Sequence, residues 1–308
     1  MATTPLDSPK PATLQSQFLP RLLRTKTALA SSVILALVIF AAIAAPLVAP
    51  KDPTGIHLVQ RLKPPGFVDP AGGRSWLGTD SLGRDVYSRI VYGARVSLMV
   101  GLSAVLISGT VGLLLGLVSG FFGGWVDDVI MRVADIQLSF PTILLALAIM
   151  AVLGSGLDKL ILVLGVTGWV QYGRIVRGQV LSIKQDEFVL AAKATGEKPW
   201  RILFQHILPN IWSPIIVVAS FTVASNIVAE ASLSFLGVGV PPDVPSWGGM
   251  LTAAAQGHVT RAPWAGIFPG LAIFLAVLGF NLLGDALRDV LEPRLRGVST
   301  TARLLSRG

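Results

Sequence analysis

Long stretches without a charged side chain limit how this chain can fold more than any other feature. Five of them reach the roughly 20 residues that a helix needs to cross the hydrocarbon core of a bilayer. They cover residues 27–50, 96–126, 136–157, 202–229 and 262–284. A soluble domain carries about 25% charged residues, whereas here 14% are charged and 52% are hydrophobic. The sequence therefore predicts an integral membrane protein.

A sixth, shorter uncharged stretch occupies residues 160–173, between Lys159 and Arg174. At about 1.5 Å per residue it is shorter than the hydrocarbon core. It can still cross if Arg174 and Arg177 extend their charged ends to the interface. With this stretch included, the sequence predicts an all-α integral membrane protein with six transmembrane helices.

The distribution of Lys and Arg predicts which segments face the cytoplasm. An even number of crossings puts both termini on one side, and the segments on that side carry sixteen Lys and Arg against nine on the other. Cytoplasmic segments of membrane proteins are enriched in these residues. We therefore expect both termini and the segment 174–210 to be cytoplasmic. The net charge of +8 then reflects topology and not binding to nucleic acid.

The crossings divide the chain into four regions. The first is a disordered cytoplasmic tail rich in Pro, Ser, Thr and Gln, followed by the first transmembrane helix with an external loop, a transmembrane core that contains a cytoplasmic loop, and a cytoplasmic tail. Their boundaries are 1–20, 21–95, 96–290 with the loop at 174–210, and 291–308.

Three features of these regions leave alternatives open. The external loop from Asp85 onward has apolar residues at helical spacing, which suits an amphipathic helix on the membrane surface or a solvated lead-in to the second crossing. The segment 231–260, rich in Gly and Pro, either dips into the bundle or forms a plain external loop. The small face Gly112, Gly116 and Gly120 favours packing within the chain over dimerisation.

The charged segment between the fourth and fifth crossings predicts two helices joined by a tight bend. Gly196 suits the left-handed residue that follows a helix, and Pro199 suits the first turn of the next helix. A narrow face of mostly small side chains on the first helix consists of Phe188, Ala191, Ala192 and Thr195. Such a face can enter the groove of a partner protein at close range, so we expect a docking site here.

This segment resembles the E-A-A-x3-G-x9-I-x-L-P cytoplasmic loop of permease subunits of ATP-binding-cassette (ABC) importers. The residues that match in register are Ala191, Ala192, Gly196, Leu208 and Pro209. Leu190 and His206 stand where the pattern has Glu and Ile, and Glu187 lies three residues too early to replace the missing carboxylate. We therefore expect docking to depend on the small face and the bend, and not on a charge pair.

Four further stretches resemble the C-type permease subunit of oligopeptide, dipeptide and nickel importers. They are residues 76–98, 120–141, 231–251 and 268–295, and the resemblance covers roughly residues 20–296. It implies the type I ABC importer permease fold in a bacterial inner membrane, with passage of dipeptides or oligopeptides as the expected function. Import of nickel or a nickel chelate by the same type of subunit is the alternative.

The resemblance also implies the partners: a homologous second permease, two ABC ATPases and an extracytoplasmic substrate-binding protein. The chain has no G-x-x-x-x-G-K-[ST] phosphate loop, so ATP and Mg²⁺ are expected in the partner ATPases. No cofactor is expected on this chain, which is not expected to be an enzyme. The residues expected to couple it to the ATPases are Glu187, Phe188, Leu190, Ala191, Ala192, Thr195, Gly196, Leu208 and Pro209.

Other sites and functions are less well supported by the sequence. Glu230 and Phe235 lie where the fifth crossing ends, and we expect them at an external gate or in contact with the binding protein. Without cysteine, and with three widely separated histidines, no metal site is expected. A membrane hydrolase would need motifs such as G-x-S-x-G, which are absent. A secondary transporter would be expected to show inverted repeats and midplane charges, and neither is visible.

Overall fold

The computed structural model describes residues 26–70, 72–256 and 260–291, and these ranges form a bundle of long helices. The helices are α1 Lys26–Ile43, α2 Ala45–Val48, α3 Val86–Phe122, α4 Gly124–Leu138, α5 Thr142–Leu153, α6 Leu157–Ile183, α7 Glu187–Ala194, α8 Pro199–Phe235, α9 Trp247–Ala255 and α10 Trp264–Leu291. The predicted N-terminal tail, and the predicted C-terminal tail after Leu291, lie outside the described ranges.

Four helices, α1, α3, α8 and α10, are each long and apolar enough to cross a membrane. Together α4 and α5 qualify as a fifth crossing, although they meet at an angle of 86°. The sixth predicted crossing corresponds to α6, whose 27 residues extend about 40 Å at 1.5 Å per residue. Charged side chains make α6 less apolar than these helices, and it is not among those that qualify as crossings by length and composition.

Helix α6 is longer than the predicted stretch 160–173 because neighbouring residues satisfy its charged side chains. Arg177 forms two hydrogen bonds to Asp127 of α4, both 2.6 Å long. Arg174 pairs with Asp135, also of α4. A paired guanidinium can remain in a helix near the membrane, so the charges that seemed to end the crossing are part of it.

The crossing predicted at residues 136–157 corresponds to the bent pair of helices α4 and α5 and has different bounds. The helix starts earlier, at Gly124, and the chain breaks between α4 and α5. Pro141 lacks a backbone N–H and disfavours the helical conformation of the residue before it. Its own ψ of 126° is extended, which turns α5 away from α4.

Helix α8 contains a π-helical turn at Ile202–Ile207, directly before Pro209. In a regular α-helix, the ring of Pro209 would crowd the carbonyl group of Gln205, four residues earlier. A wider turn at this position relieves the crowding, and the helix continues past Pro214. It ends at Phe235, six residues beyond the predicted end of the crossing.

The glycine face of α3 packs against α6 within the chain, as expected. A Cβ atom on Gly112 would lie 2.5 Å from the Trp169 carbonyl oxygen, and one on Gly116 would lie 2.6 Å from that of Gly173. A Cβ atom on Gly120 would lie 2.8 Å from the Val180 Cβ atom and 3.0 Å from the Arg177 carbonyl oxygen. Since each of the three positions faces a backbone oxygen of α6, the two helices can approach this closely only without side chains on this face of α3.

The stretch expected as a surface helix or a solvated lead-in is instead the buried first part of α3. The Asp85 carboxylate caps this helix by accepting a hydrogen bond of 2.8 Å from the Ser88 N–H. Arg89 is only 2% exposed, and its guanidinium donates to the Pro53 carbonyl group at 2.9 Å. The loop before α3 therefore packs onto the helix and is not simply solvated.

The described residues of this loop, 51–70 and 72–85, contain short elements and ion pairs. Strands β1 Phe67–Val68 and β2 Arg74–Ser75 form an antiparallel hairpin, and a 3₁₀ turn covers Leu58–Gln60. Asp80 and Arg84 form a buried pair at 2.7 Å. We call the end of the bundle that carries this loop the loop end, and the opposite end the α7 end.

The described part of the segment 231–260, up to residue 256, folds back onto the bundle at the loop end. Its helix α9 packs against α3, α8 and α10, with Trp247 and Met250 buried. The Trp247 indole N–H donates to the Ile90 carbonyl group of α3 at 2.9 Å. This arrangement matches the expectation of a segment that dips into the bundle and not that of a plain loop.

Candidate functional site

The predicted helix–bend–helix forms at the α7 end. Helix α7 covers eight residues, and Gly196 follows it with a φ of +77°. The Gly196 N–H donates to the Lys193 carbonyl group and the Glu197 N–H to that of Ala192. These two bonds form a Schellman motif, in which a left-handed glycine satisfies the last carbonyl groups of a helix. Pro199 then begins α8, as predicted.

One face of α7 packs on its own chain. Val189 and Ala192 are buried against the π-helical turn of α8, at Ile202, Leu203 and Ile207. The prediction that Ala192 belongs to a face presented to a partner is therefore wrong, because its side chain, 7% exposed, lies between α7 and α8. The direction of burial could not be predicted without knowing where α8 packs.

The opposite side of α7 is exposed and includes large apolar groups. Phe188 is 44% exposed and Leu190 is 51% exposed. Including these two, the outward-facing side chains from the predicted coupling set are Glu187, Phe188, Leu190, Ala191 and Thr195. We call these five residues the α7 outer face.

The bend after α7 is fixed to α8 by polar contacts. The Glu197 carboxylate lies 3.0 Å from Nε2 of His206 and 4.0 Å from Nε of Arg201. His206, where the family pattern has Ile, thus holds the bend from the π-helical turn. Leu208 is half-buried against the core, while Pro209 is exposed and acts through the shape of α8.

An exposed group of aromatic rings beside α7 was not predicted. Phe122, the last residue of α3, makes an edge contact with Trp200 at 6.0 Å between ring centroids, and Trp200 stacks on Phe204 at 6.2 Å. The Lys193 ammonium lies 5.4 Å from the centroid of Phe121. The four-residue spacing of Trp200 and Phe204 was a signal in the sequence, since such residues share one helical face.

We expect Gly196→Ala to lower the stability of the chain by about 1 kcal/mol, because the left-handed conformation is unfavourable for residues with a Cβ atom. No atom lies within 4 Å of the added methyl group, so the cost comes from the backbone alone. Gly178→Ala is the matched control, since it is equally uncrowded but lies inside α6. It should leave the melting temperature in detergent unchanged or raise it. Equal melting temperatures for both variants would contradict the assigned bend.

The second group of predicted site residues lies at the loop end of α8, about 40 Å from α7 at 1.5 Å per residue. Glu230 is completely buried. The Ser97 hydroxyl group of α3 donates to one of its carboxyl oxygens and the Ser234 hydroxyl group to the other, each at 3.0 Å. Contact of Glu230 with a binding protein is therefore excluded, because its side chain has no surface. The sequence placed it at the end of a crossing, whereas α8 continues past it.

Phe235, the other residue expected at this end, is exposed at the last turn of α8. Its ring borders an apolar groove between α8, α9 and α10, which is also lined by Val228, Leu251 and Ile273. Phe235 and Glu230 therefore do not form one site. Within the described ranges, no group of three or more His, Asp or Glu residues is placed to hold a metal ion.

Comparison with protein families finds two matches in this chain. Residues 112–297 match the family described as binding-protein-dependent transport system inner membrane component. Residues 13–65 match the N-terminal transmembrane domain of oligopeptide transport permease C. The first match covers more than half of the chain, including α6, α7, α8 and α9.

Curated relatives are similar along almost their whole length. The dipeptide transport system permease protein of Alkalihalophilus pseudofirmus is 43% identical over 90% of this chain and 88% of its own length. The glutathione transport system permease protein of Pectobacterium atrosepticum is 42% identical over 91% of each. The oligopeptide transport system permease protein of Bacillus subtilis is 40% identical over 94% of this chain and 92% of its own length.

A solved structure has a similar fold. A chain of the MetNI methionine ABC transporter, in an inward-facing conformation, aligns with a TM-score of 0.54. The alignment covers 66% of this chain and 96% of that chain, at 18% sequence identity. At this identity the likeness concerns the fold alone.

Proposed function

The chain belongs to the family of binding-protein-dependent transport system inner membrane components, the permease subunits of ABC importers, and we propose that it forms half of a pathway for dipeptides and oligopeptides. It is a multi-pass inner-membrane protein and not an enzyme, since separate ATPase subunits hydrolyse ATP in this family. The finer assignments below concern the residues that dock, the orientation and the substrate.

The observation that carries the proposal is the α7 outer face. Phe188 and Leu190 are exposed on a short helix whose neighbours along the chain are charged, at Lys184, Asp186 and Lys198. Such a helix is too short and too polar to lie in lipid, so its exposed apolar groups are in water unless a protein covers them. We infer that a partner ATPase covers them, with ATP and Mg²⁺ bound by that partner.

The structure of the bend suits transmission of movement from such a partner. Val189 and Ala192 fix α7 to the π-helical turn of α8, and the Glu197–His206 contact fixes the bend to the same turn. A displacement of α7 therefore acts on α8, a helix of 37 residues that reaches the loop end. We propose that the α7 end is cytoplasmic, as the charge distribution predicts, and that the loop end faces the binding protein.

The names of the relatives favour peptides as the substrate. The dipeptide, glutathione and oligopeptide permeases have nearly the same sequence identity to this chain, at 43%, 42% and 40%. Glutathione is itself a peptide, so the shared chemistry is a short peptide. We therefore propose a homologous second permease, two ATPases and an external peptide-binding protein as partners.

We expect vesicles that contain the full complex and its binding protein to take up labelled dipeptides and oligopeptides only when ATP is supplied. The measurement is uptake of a dipeptide, a longer peptide, glutathione and Ni²⁺, each with ATP, with ADP and with an ion gradient alone. ADP vesicles are the matched control. Uptake of nickel without uptake of any peptide would show that nickel, and not a peptide, is the substrate. Uptake driven by the gradient without ATP would contradict the importer assignment.

A further inference from the structure

Glu230 is a carboxyl group buried among helices without a cation beside it. None of the ion pairs formed by the described residues involves Glu230. A carboxyl group in this position is unfavourable unless hydrogen bonds satisfy it, and polar residues inside a membrane bundle are functional candidates for that reason. An apolar residue of similar size would fill the same volume, so packing alone does not account for it.

Hydroxyl groups of α3 and α8 bind this carboxyl group. Ser97 belongs to α3 and Ser234 to the last turn of α8. Ser246, whose hydroxyl group lies near the carboxyl group, is the N-cap of α9 and accepts a bond of 3.1 Å from the Gly249 N–H. We call Glu230 with these three serines the Glu230 network. It lies where the start of α9 meets α3 and α8.

Ser234 connects the network to the segment that leads into α9. Its hydroxyl group accepts a bond of 3.1 Å from the Val240 N–H, so its side-chain orientation, set by Glu230, affects this segment. Independently of the side chain, the Ser234 carbonyl group accepts a bond of 3.1 Å from the Thr252 hydroxyl group, which ties the middle of α9 to α8.

The first turn of α9 is wedged between α3 and α8 at the level of Glu230. A Cβ atom on Gly248 would lie 2.6 Å from the Ala231 Cα atom of α8, and one on Gly93 would lie 2.9 Å from the Trp247 ring. Because these are contacts with backbone or with a large buried ring, α9 has little room to shift sideways. It can leave this position only by moving outward, which separates Ser246 from Glu230 and breaks the bond from Thr252 to Ser234.

A cavity of about 320 Å³, lined by both polar and apolar groups, lies directly beside this wedge. One wall is formed by α9, through Gly249, Thr252, Ala253 and Gln256, and another by the loop before α3, through Ser81, Leu82 and Arg84. The Arg84 guanidinium also approaches the Pro242 carbonyl group, at 3.4 Å. The position of α9 therefore sets the width of this cavity, which we call the opening at the loop end.

We propose that Glu230 is a positioning residue that holds α9 across the opening at the loop end through the Glu230 network. This inference rests on the proposed function, under which the opening is the place where a peptide enters from the binding protein. Movement of α8 relative to α3 separates Glu230 from Ser97 and releases the start of α9. The network contains hydroxyl groups and one carboxyl group, so its parting separates no ion pair.

The test uses the absence of cysteine in this chain. Ala253→Cys places one thiol on the cavity wall formed by α9, and a membrane-impermeant maleimide added on the loop side reports its accessibility in the full complex without ATP. We expect Glu230→Leu, which has no acceptor oxygens, to raise the rate of labelling about tenfold and to raise the ATP hydrolysed per peptide transported. Glu230→Gln keeps one acceptor oxygen, and its amide N–H can donate to a serine hydroxyl group. Its rate of labelling should therefore stay within about twofold of that of the parent.

The two substitutions separate the proposal from its rivals. Equal labelling of Glu230→Leu and the parent would overturn the proposal and leave a packing role. Equal, fast labelling of Glu230→Leu and Glu230→Gln would overturn it in favour of a role for the charge. If Glu230→Leu fails to assemble, Ser97→Ala combined with Ser234→Ala removes the two hydroxyl donors and should give the same increase. Ser232→Ala is the control, since this hydroxyl group bonds only to its own helix, at the Val228 carbonyl group.

The proposed function can fail separately. Its failure would appear in the Ala253→Cys parent as absent ATP-dependent uptake, whatever the rate of labelling. The labelling difference between Glu230→Leu and the parent is measured without ATP or transport. It therefore tests the Glu230 network even if the substrate or the partners have been assigned wrongly.

Discussion

Ala191→Arg is expected to abolish ATP-dependent uptake while the chain still inserts, folds and assembles with its partner permease. Ala191 is exposed on the α7 outer face, so the larger side chain meets no atom of its own chain that must move. If a partner covers this face closely, a bulky and charged group there leaves a desolvated charge without a partner. Such a mismatch costs on the order of 3 kcal/mol, or about a hundredfold in affinity.

The measurement compares uptake with ATP hydrolysis in the same vesicles. We expect Ala191→Arg to lose uptake and the stimulation of hydrolysis by loaded binding protein, because both require contact between α7 and the ATPase. Gln185→Arg is the matched control. It adds the same side chain at an exposed position two residues before α7, and it should keep both activities. Normal coupled uptake by Ala191→Arg would show that the α7 outer face does not dock an ATPase.

The bend after α7 was predictable because its determinants are local. Gly196 and Pro199 lie within four residues of each other, and each has a conformational preference that does not depend on the rest of the fold. The face that α7 buries is different. Whether Ala192 points inward depends on where Ile202 and Ile207 lie, which requires the tertiary structure. This is why the segment was placed correctly while one of its contact residues was not.

The partners of Glu230 could not be found from the sequence for a related reason. Ser97 is 133 positions away, and no pattern in either segment links the two. The sequence also predicts that the crossing ends before Glu230, because a charged residue inside the membrane is unfavourable. Hydroxyl groups of α3 and α8 bind the buried carboxyl group, so the helix continues past it. Asp127 and Asp135 satisfy the arginines of α6 in a similar way.

The small-residue face of α3 shows the opposite case, in which a simple pattern predicted a tertiary contact. Glycines four positions apart favour close approach of a neighbouring helix, and α6 occupies that position. The pattern did not identify the neighbour, but it did identify the face. The closeness of the contact leads to the second large effect.

Gly112→Ala combined with Gly116→Ala is expected to lower the melting temperature of the chain in detergent by on the order of 10 °C. The added Cβ atoms would lie 2.5 Å and 2.6 Å from carbonyl oxygens of α6, and backbone atoms cannot move aside as a side chain can. Overpacking typically costs about 1–3 kcal/mol per site, and each kcal/mol lowers the melting temperature by about 2–4 °C in a chain of this size. The two costs will not simply add, because both displace the same stretch of α6.

Gly109→Ala is the matched control for this pair. It lies one turn earlier on α3, and its added Cβ atom would be 3.7 Å from the ring of Tyr172, an ordinary contact. Because alanine favours a helix over glycine by about 1 kcal/mol, this variant should melt at or above the temperature of the parent. A double variant as stable as Gly109→Ala would mean that α3 and α6 are farther apart than the structure has them. In that case α3 and α6 would not form a rigid pair of helices, and the proposed movement of α8 relative to α3 would lose its basis.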